Sequence, residues 1–198
     1  MTTRQRILDE ATRQVLGRGY VAFTIAAVRD ALGLSSGSMF HAFSSKPDLV
    51  GAVYVEGMRG YQDAAVAAIT AQSDARASIE AWIHAHLSWV SAQPDLARFL
   101  FSTQPDEVIE ASAAALADAN AAFYKAVQDL FAAAVADGLV APLPRAVAHS
   151  LVMGPTQEYC RQWTRGSTDE DPRDSIELFQ GAALEAMRST QRTGSIDV

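Results

Sequence analysis

A chain of 198 residues that is 49% hydrophobic, with a formal net charge of −7, holds enough apolar content for one large or two small packed domains, which excludes a disordered chain. Its one cysteine, Cys160, leaves no disulfide partner and no thiol cluster for zinc, as expected of a core residue in a reducing cytoplasm. "MTTRQRILDEATRQ" lacks the apolar run of a signal peptide, and nowhere do about 18 apolar residues follow one another, so a soluble cytoplasmic protein with no membrane partner is expected.

The charge is uneven. Residues 1–50 hold Arg4, Arg6, Arg13, Arg18, Arg29 and Lys46 against Asp9, Glu10, Asp30 and Asp48, a formal +2 that leaves −9 for the rest. A polyanion, if one is bound, would meet the N-terminal end. Few segments alternate with period two, and the glycines fall mostly at segment ends, so the chain reads as all-α.

In chain order, a first helix is expected over Thr3–Gly17, with Ile7, Leu8, Ala11, Val15 and Leu16 on one face and Gly17 and Gly19 as its stop. Thr24 is placed to cap a second helix carrying Ile25, Val28, Ala31 and Leu32, ended by Gly33 as a left-handed residue. Ser35 then caps a very short third helix, Ser36 to about His41, with Met39 and Phe43 turned inward. Ser45 caps a fourth helix, with Pro47 tolerated in its first turn and Asp48 at capping-box spacing. The serines are caps and the glycines are stops, which explains a polar stretch that is not a loop.

Two helices joined by a tight glycine turn are the geometry that lets the second enter a DNA major groove. Small side chains at Ser35, Ser36, Gly37 and Ser38 let a backbone come close, and hydroxyls with free N-terminal amides are good phosphate donors. An ordinary helical corner is the other reading of this spacing.

"TIAAVRDALGLSSGSMFHAFSSKPDLV", from the Thr24 cap through Ala27, Gly33, Leu34, Ser35, Gly37, Phe43 and Lys46 to Leu49, resembles the DNA-binding signature of the TetR family of transcriptional repressors, and "RILDEATRQVLGRGYVAFT" has the spacing of that family's first helix. The resemblance implies an N-terminal three-helix headpiece with a helix-turn-helix, followed by an all-helical domain that dimerises and binds a small effector. It implies that Thr24 and Lys46 hold phosphates and that Ser36, Ser38, Phe40 and His41 face double-stranded operator DNA. The family usually shows tyrosine where this chain has Phe40 and histidine where it has Ala42. A phosphate-bonding phenol is thus missing, while Phe40 offers apolar contact to a thymine methyl and His41 a donor for phosphate.

Beyond Leu49 the expected helices are Lys46–Ala71, Ala75–Ala92, a short piece from Pro94 to Ser102, and Asp106–Asp137. The last carries Val108, Ile109, Ser112, Ala115, Leu116, Ala119, Phe123, Ala126, Val127, Leu130, Phe131 and Ala134 as one stripe, with a glycine cap at Gly138. Two final helices follow, near Arg145–Arg165 and Pro172–Thr190, with Pro155 expected to kink the first of them unless the freed carbonyl finds a donor. The "GSTDED" loop between them is expected to be mobile. The implied domains are 1–45 for DNA binding and 46–190 for ligand binding and dimerisation, with 46–71 as connecting helix and 191–198 as a flexible tail.

Val147, Leu151, Gly154 and Pro155 in one final helix, and Ile176, Phe179, Ala183, Ala186 and Met187 in the other, form apolar faces that either one subunit or a second copy must cover. The family's last two helices usually build a four-helix dimer interface, so the resemblance implies a homodimer. In "ASIEAWIHAHLSWVSAQ", Ile79, Trp82, Ile83, His86, Trp89 and Val90 share a face, whereas His84 falls to the side. His86 is either a core histidine bonded to a backbone carbonyl or a polar handle in an apolar pocket for an apolar or aromatic effector. Phe99, Phe101, Phe123, Tyr124, Met153, Glu158 and Tyr159 are candidates to line the same cavity. No H-E-x-x-H spacing, nucleophile with its base, phosphate loop or metal cluster is present, so neither catalysis nor a cofactor is expected. The competing class is a helical protein-interaction module without DNA binding, which would have no use for a capped recognition helix on the net-positive segment.

Overall fold

The computed structural model describes residues 1–189. Thr190, the expected end of the last helix, and the expected tail 191–198 lie outside the described residues. Among the described residues the regular structure is entirely helical, in the order α1 Thr3–Ala22, α2 Ile25–Leu32, α3 Ser36–Ala42, α4 Lys46–Thr70, α5 Ala75–Ala92, α6 Pro94–Leu100, α7 Asp106–Ala136, α8 Arg145–Thr164, a 3-10 turn Pro172–Ser175, and α9 Ile176–Ser189. No helix among these residues is long and apolar enough to cross a membrane.

Most boundaries follow local capping chemistry. Thr24 accepts a hydrogen bond from the Ala27 amide at 3.2 Å and Ser35 one from the Ser38 amide at 3.1 Å. Ser45 caps α4 through the Asp48 amide at 3.2 Å. Asp48 completes the cap one residue earlier than a capping box would, accepting from the Ser44 amide at 2.8 Å. Gly33 takes the left-handed conformation, φ 63, that closes α2 and that costs a residue with a Cβ. The first helix departs from expectation. It continues past Gly17 to Ala22 and leaves helical geometry only at Gly19, φ 74 and ψ 164, so the chain turns two residues later than the sequence suggested. Pro155 sits inside one continuous α8, and the last expected helix opens as a 3-10 turn before α9 begins at Ile176.

The described residues divide into two compact units, one of residues 1–60 and 95–119, the other of 61–94 with 120–189. In the first unit Ile7, Leu8, Ala11, Val15, Phe23, Val28, Met39, Phe43, Leu49, Val50, Val53 and Val108 form one buried cluster. This core fixes α3 by its Met39 and Phe43 side and leaves the opposite side to solvent. The start of α4 crosses the first turns of α7 closely at Gly51, where an added Cβ would meet Ser112 Cβ and the Val108 carbonyl, each at 3.4 Å. Ile109, expected in the buried stripe of α7, is 41% exposed.

In the second unit α8 and α9 pack on each other and both pack on α5, which also receives the 3-10 turn. Ser91 donates to Asp171 at 2.9 Å and Gln180 to the Glu80 carbonyl at 2.8 Å. Cys160 is buried here, and burial pushes its thiol up to about 12.

Candidate functional site

The exposed side of α3 follows from how its caps and its core residues are placed. With Met39 buried and Phe43 sealed at the helix end, the residues between them, Ser36, Gly37, Ser38, Phe40 and His41, point outward together with Ser35. Phe40 is 56% exposed, a large apolar ring held in water on a polar face. Ser35 and Ser38 share a hydroxyl contact of 3.0 Å, and Arg29 reaches Ser36 Oγ at 3.2 Å while pairing with Asp30 at 2.7 Å. Thr24 is exposed, with its hydroxyl oxygen engaged as cap acceptor and its proton still available to a phosphate. Lys46, the first residue of α4, stands with Nζ 4.2 Å from the Tyr20 ring centroid. All eight expected DNA-facing residues therefore belong to one unit, and six of them, with Gly37 between the serines, share or flank the exposed side of α3.

Three further residues join this surface without having been singled out. Arg29 lies beside Ser36, Arg4 stacks on Phe43 at 4.0 Å, and Tyr20 carries Lys46 on its face. Arg4 and Arg29 were legible only as charge, and Tyr20 only as an aromatic after a glycine.

The aromatic cluster on α5 is filled. Trp82 is 0% exposed and His86 1%. Trp82 meets Phe123 at 5.9 Å, Phe131 at 6.4 Å and His149 at 5.4 Å between ring centroids. Tyr61, which lies close to both residues, shares a 2.9 Å hydrogen bond with His86 Nδ1 and packs edge-on against His86 and the half-buried Trp89. The ring nitrogen Nδ1 of His86 is thus engaged by a phenol. Burial, assisted by nearby His149, holds the His86 pKa down at about 4, so the ring is neutral near pH 7. Burial also raises the Tyr61 phenol well above its ordinary range, partly offset by the Trp82 indole, whose buried N–H makes no hydrogen bond of normal geometry.

The remaining candidates scatter. Phe123 and Met153 are buried in this unit, whereas Tyr124 is 47% exposed beneath Arg145. Glu158 is exposed and pairs with Arg161 at 2.9 Å. Phe99 belongs to the first unit, edge-on to Tyr54 at 6.2 Å. A cavity of about 640 Å³ at the end of α7 is lined by Phe131, Val135, Val140, Pro142, Leu143 and Arg145.

Of the expected dimer-face residues, Val147 is 43% exposed, and Leu151, Gly154, Ile176 and Phe179 are half-buried. Phe179 rests against Tyr159 at 5.4 Å. Ala183 and Met187, at 4% and 1%, are enclosed by the chain's own helices, because α9 packs on α5 and α8 along that stripe. Leu178, not singled out in the sequence, is 71% exposed on the same helix.

Comparison with known proteins fits this arrangement. Residues 7–53 match the model of bacterial regulatory proteins, tetR family. No curated protein matches the chain. Among solved structures, the transcriptional regulator FadR from Bacillus subtilis in complex with stearoyl-CoA is similar with TM-score 0.76 at 15% identity, covering 92% of this chain and 98% of that one. The fatty acid degradation regulator FadR from Bacillus halodurans gives 0.74 at 16%, covering 91% and 97%. A bacterial regulatory protein in the tetR family from Rhodococcus RHA1 gives 0.66 at 20%, covering 94% and 98%. At these identities the likeness establishes a shared fold.

Proposed function

From the match of residues 7–53 to the tetR family model we propose that the chain is a TetR-family transcriptional regulator, a homodimeric repressor that binds a palindromic operator and leaves it when a small apolar or aromatic effector binds. The observation that carries this is the outward side of α3: Ser36, Ser38, Phe40 and His41 exposed together on a helix anchored from behind by Met39 and Phe43. Residues 1–45 form the DNA-binding domain, and 46–190 the ligand-binding and dimerisation domain. Thr24, Ser35 and Lys46 meet phosphates, Gly37 admits the backbone closely, and Ser38, Phe40 and His41 meet base edges. The exposed remainder of α8 and α9, from Val147 and Leu151 to Ile176, Leu178 and Phe179, meets the second copy.

For the effector, Trp82, His86, Trp89, Phe123 and Met153 supply an apolar lining with one neutral imidazole as polar handle. A similar fold crystallised with stearoyl-CoA supports an effector with an apolar portion. Because the cluster is filled, the effector selects a conformation in which these rings have parted. Release then needs differential affinity: binding the DNA-free form ~100-fold better supplies about 2.7 kcal/mol per site. No cofactor enters this scheme. Helix α4, continuous from Lys46 to Thr70, starts at a phosphate ligand and ends among residues of the second unit. A shift along it changes the separation of two headpieces that must match half-sites about 34 Å apart or multiples of that.

The deciding experiment selects duplexes from a random pool with the full-length protein and titrates them against salt. A near-palindromic consensus is expected, with a log–log slope of about −0.9 for each phosphate neutralised. Changing Lys46 weakens all duplexes alike, whereas changing Ser38 or His41 alters the preferred bases. Equal binding of selected and random duplexes at physiological salt would falsify the proposal.

A further inference from the structure

Lysine at the start of a helix is a flexible point charge, and in water its long side chain samples many rotamers. In this chain Lys46 is not left to do so. Its ammonium sits over the face of Tyr20, and among the described residues no carboxylate lies within ion-pair distance of it. Tyr20 follows the Gly19 turn at the end of α1, where the backbone alone would leave its ring free to swing. The ring is fixed instead from its far edge: the Tyr20 hydroxyl donates to Oε1 of Glu107, the second residue of α7. Ammonium, ring and carboxylate thus form one line running from the start of α4 through the end of α1 to the first turn of α7, all within one compact unit. The close crossing of α4 and α7 at Gly51 holds the two helix starts in register for that line.

We propose that Tyr20 and Glu107 are positioning residues for Lys46: Glu107 anchors the ring, and the ring presents the ammonium to an operator phosphate. The first turn of α7 is then the point at which a displacement of that helix withdraws Lys46 from DNA. Farther along, α7 carries Phe123 and Phe131, which touch Trp82, so the same helix bears the lining of the proposed effector site and the anchor of the phosphate ligand. The Glu107 carboxylate would repel a phosphate if left bare, and the phenol occupies it. Burial and Glu107 together push the Tyr20 phenol up to about 12, which keeps it a proton donor over the physiological range.

This inference rests on Lys46 meeting phosphate, so the test separates the two. Full-length variants Lys46→Met, Tyr20→Phe, Tyr20→Leu and Glu107→Gln, each alone and the last three also combined with Lys46→Met, are titrated on the selected duplex over a salt series, with melting curves for each. Lys46→Met lowers the salt slope by about 1. Tyr20→Phe and Glu107→Gln, which keep the ring, weaken binding by about two- to fivefold, the size of an exposed cation–ring contact, and Tyr20→Leu weakens it at least as much. In the Lys46→Met background all three become silent, an epistasis that mere support of the fold would not produce. Equal losses in both backgrounds overturn the positioning role, as does Lys46→Met acting alone while the other three bind normally. If Lys46→Met itself leaves affinity and slope unchanged, the phosphate role of Lys46 fails and the inference falls with it. Should Tyr20→Leu not fold, Tyr20→Phe and Glu107→Gln decide the matter.

Discussion

Replacing Trp82 by alanine removes an indole that is 0% exposed and ringed by Phe123, Phe131 and His149. Truncating a large aromatic in a packed core costs about 3–5 kcal/mol, the lost transfer energy plus the cavity left behind. At about 2–4 °C per kcal/mol for a chain of this size, the melting temperature should fall by roughly 6–20 °C. The assay is urea and thermal unfolding followed by circular dichroism, since the substitution itself changes the tryptophan fluorescence. Millimolar indole should recover part of the loss, because an apolar cavity of that shape stays dry and takes an aromatic guest. Trp82→Phe, which keeps an aromatic ring in place, should cost clearly less. A loss below about 1 kcal/mol would mean that Trp82 borders space that is already empty, and the filled cluster from which the parting of rings was argued would be wrong. The same reasoning makes Trp89, half-buried against Tyr61, the better residue for abolishing induction with operator binding intact.

Removing the cap hydroxyls by Thr24→Ala or Ser35→Ala should destabilise the chain by about 0.5–2 kcal/mol each, read by denaturant midpoints at constant slope, and the serine variant at Thr24 should recover most of it. His86 is neutral in the fold with its pKa near 4, against 6.5 unfolded. The unfolded state therefore binds the extra proton first, and stability that is full above pH 6.5 drains away as pH falls toward 4, by a few kcal/mol. His86→Gln, compared by unfolding at pH 7 and pH 4.5, should lose less than the native chain over that span; parallel losses would show that His86 is not the group responsible. Phe179→Glu combined with Leu178→Glu places charge on the exposed side of α9 and should give monomers in sedimentation at micromolar concentration with helicity retained, an unpaired buried charge costing several kcal/mol. A dimer that survives both changes has its interface elsewhere.

What the sequence revealed and what it concealed divide by distance along the chain. Thr24, Ser35 and Ser45 were legible as caps because an N-cap bond spans three residues and needs no tertiary partner, and Gly33 was legible because only the backbone at that residue is involved. The outward side of α3 followed, since periodicity separates Met39 from Ser38 and Phe40. The α1 terminus was misplaced for a local reason too: glycine permits a turn without requiring one, and of Gly17 and Gly19 only Gly19 takes positive φ. Ala183 and Phe179 illustrate the next level. Both lie on the apolar side of α9, and nothing in their spacing tells whether this chain or a second copy covers them. Packing on α5 and α8 encloses Ala183 and leaves Phe179 half-open. Phe99 and Trp82 both looked like pocket aromatics, yet they fall in different units, because a short helix such as α6 is placed by its contacts and not by its own period.

The contact between Tyr20 and Glu107 spans 87 residues and has no local signature at all. A tyrosine after a glycine and a glutamate in a helix's first turn are each fully explained by turn geometry and by the helix dipole. Their joint meaning exists only once α7 is laid beside the end of α1. Under the proposed function the DNA-facing residues are sequence-local while the anchor of Lys46 is not, which has a consequence for variation. The headpiece signature can be kept intact while the residue opposite Tyr20 changes, altering how a ligand is coupled to DNA without altering which DNA is bound. Glu107→Gln should therefore leave the selected consensus unchanged base for base while it lowers affinity, and a shift in the consensus would place Glu107 in readout and not in positioning.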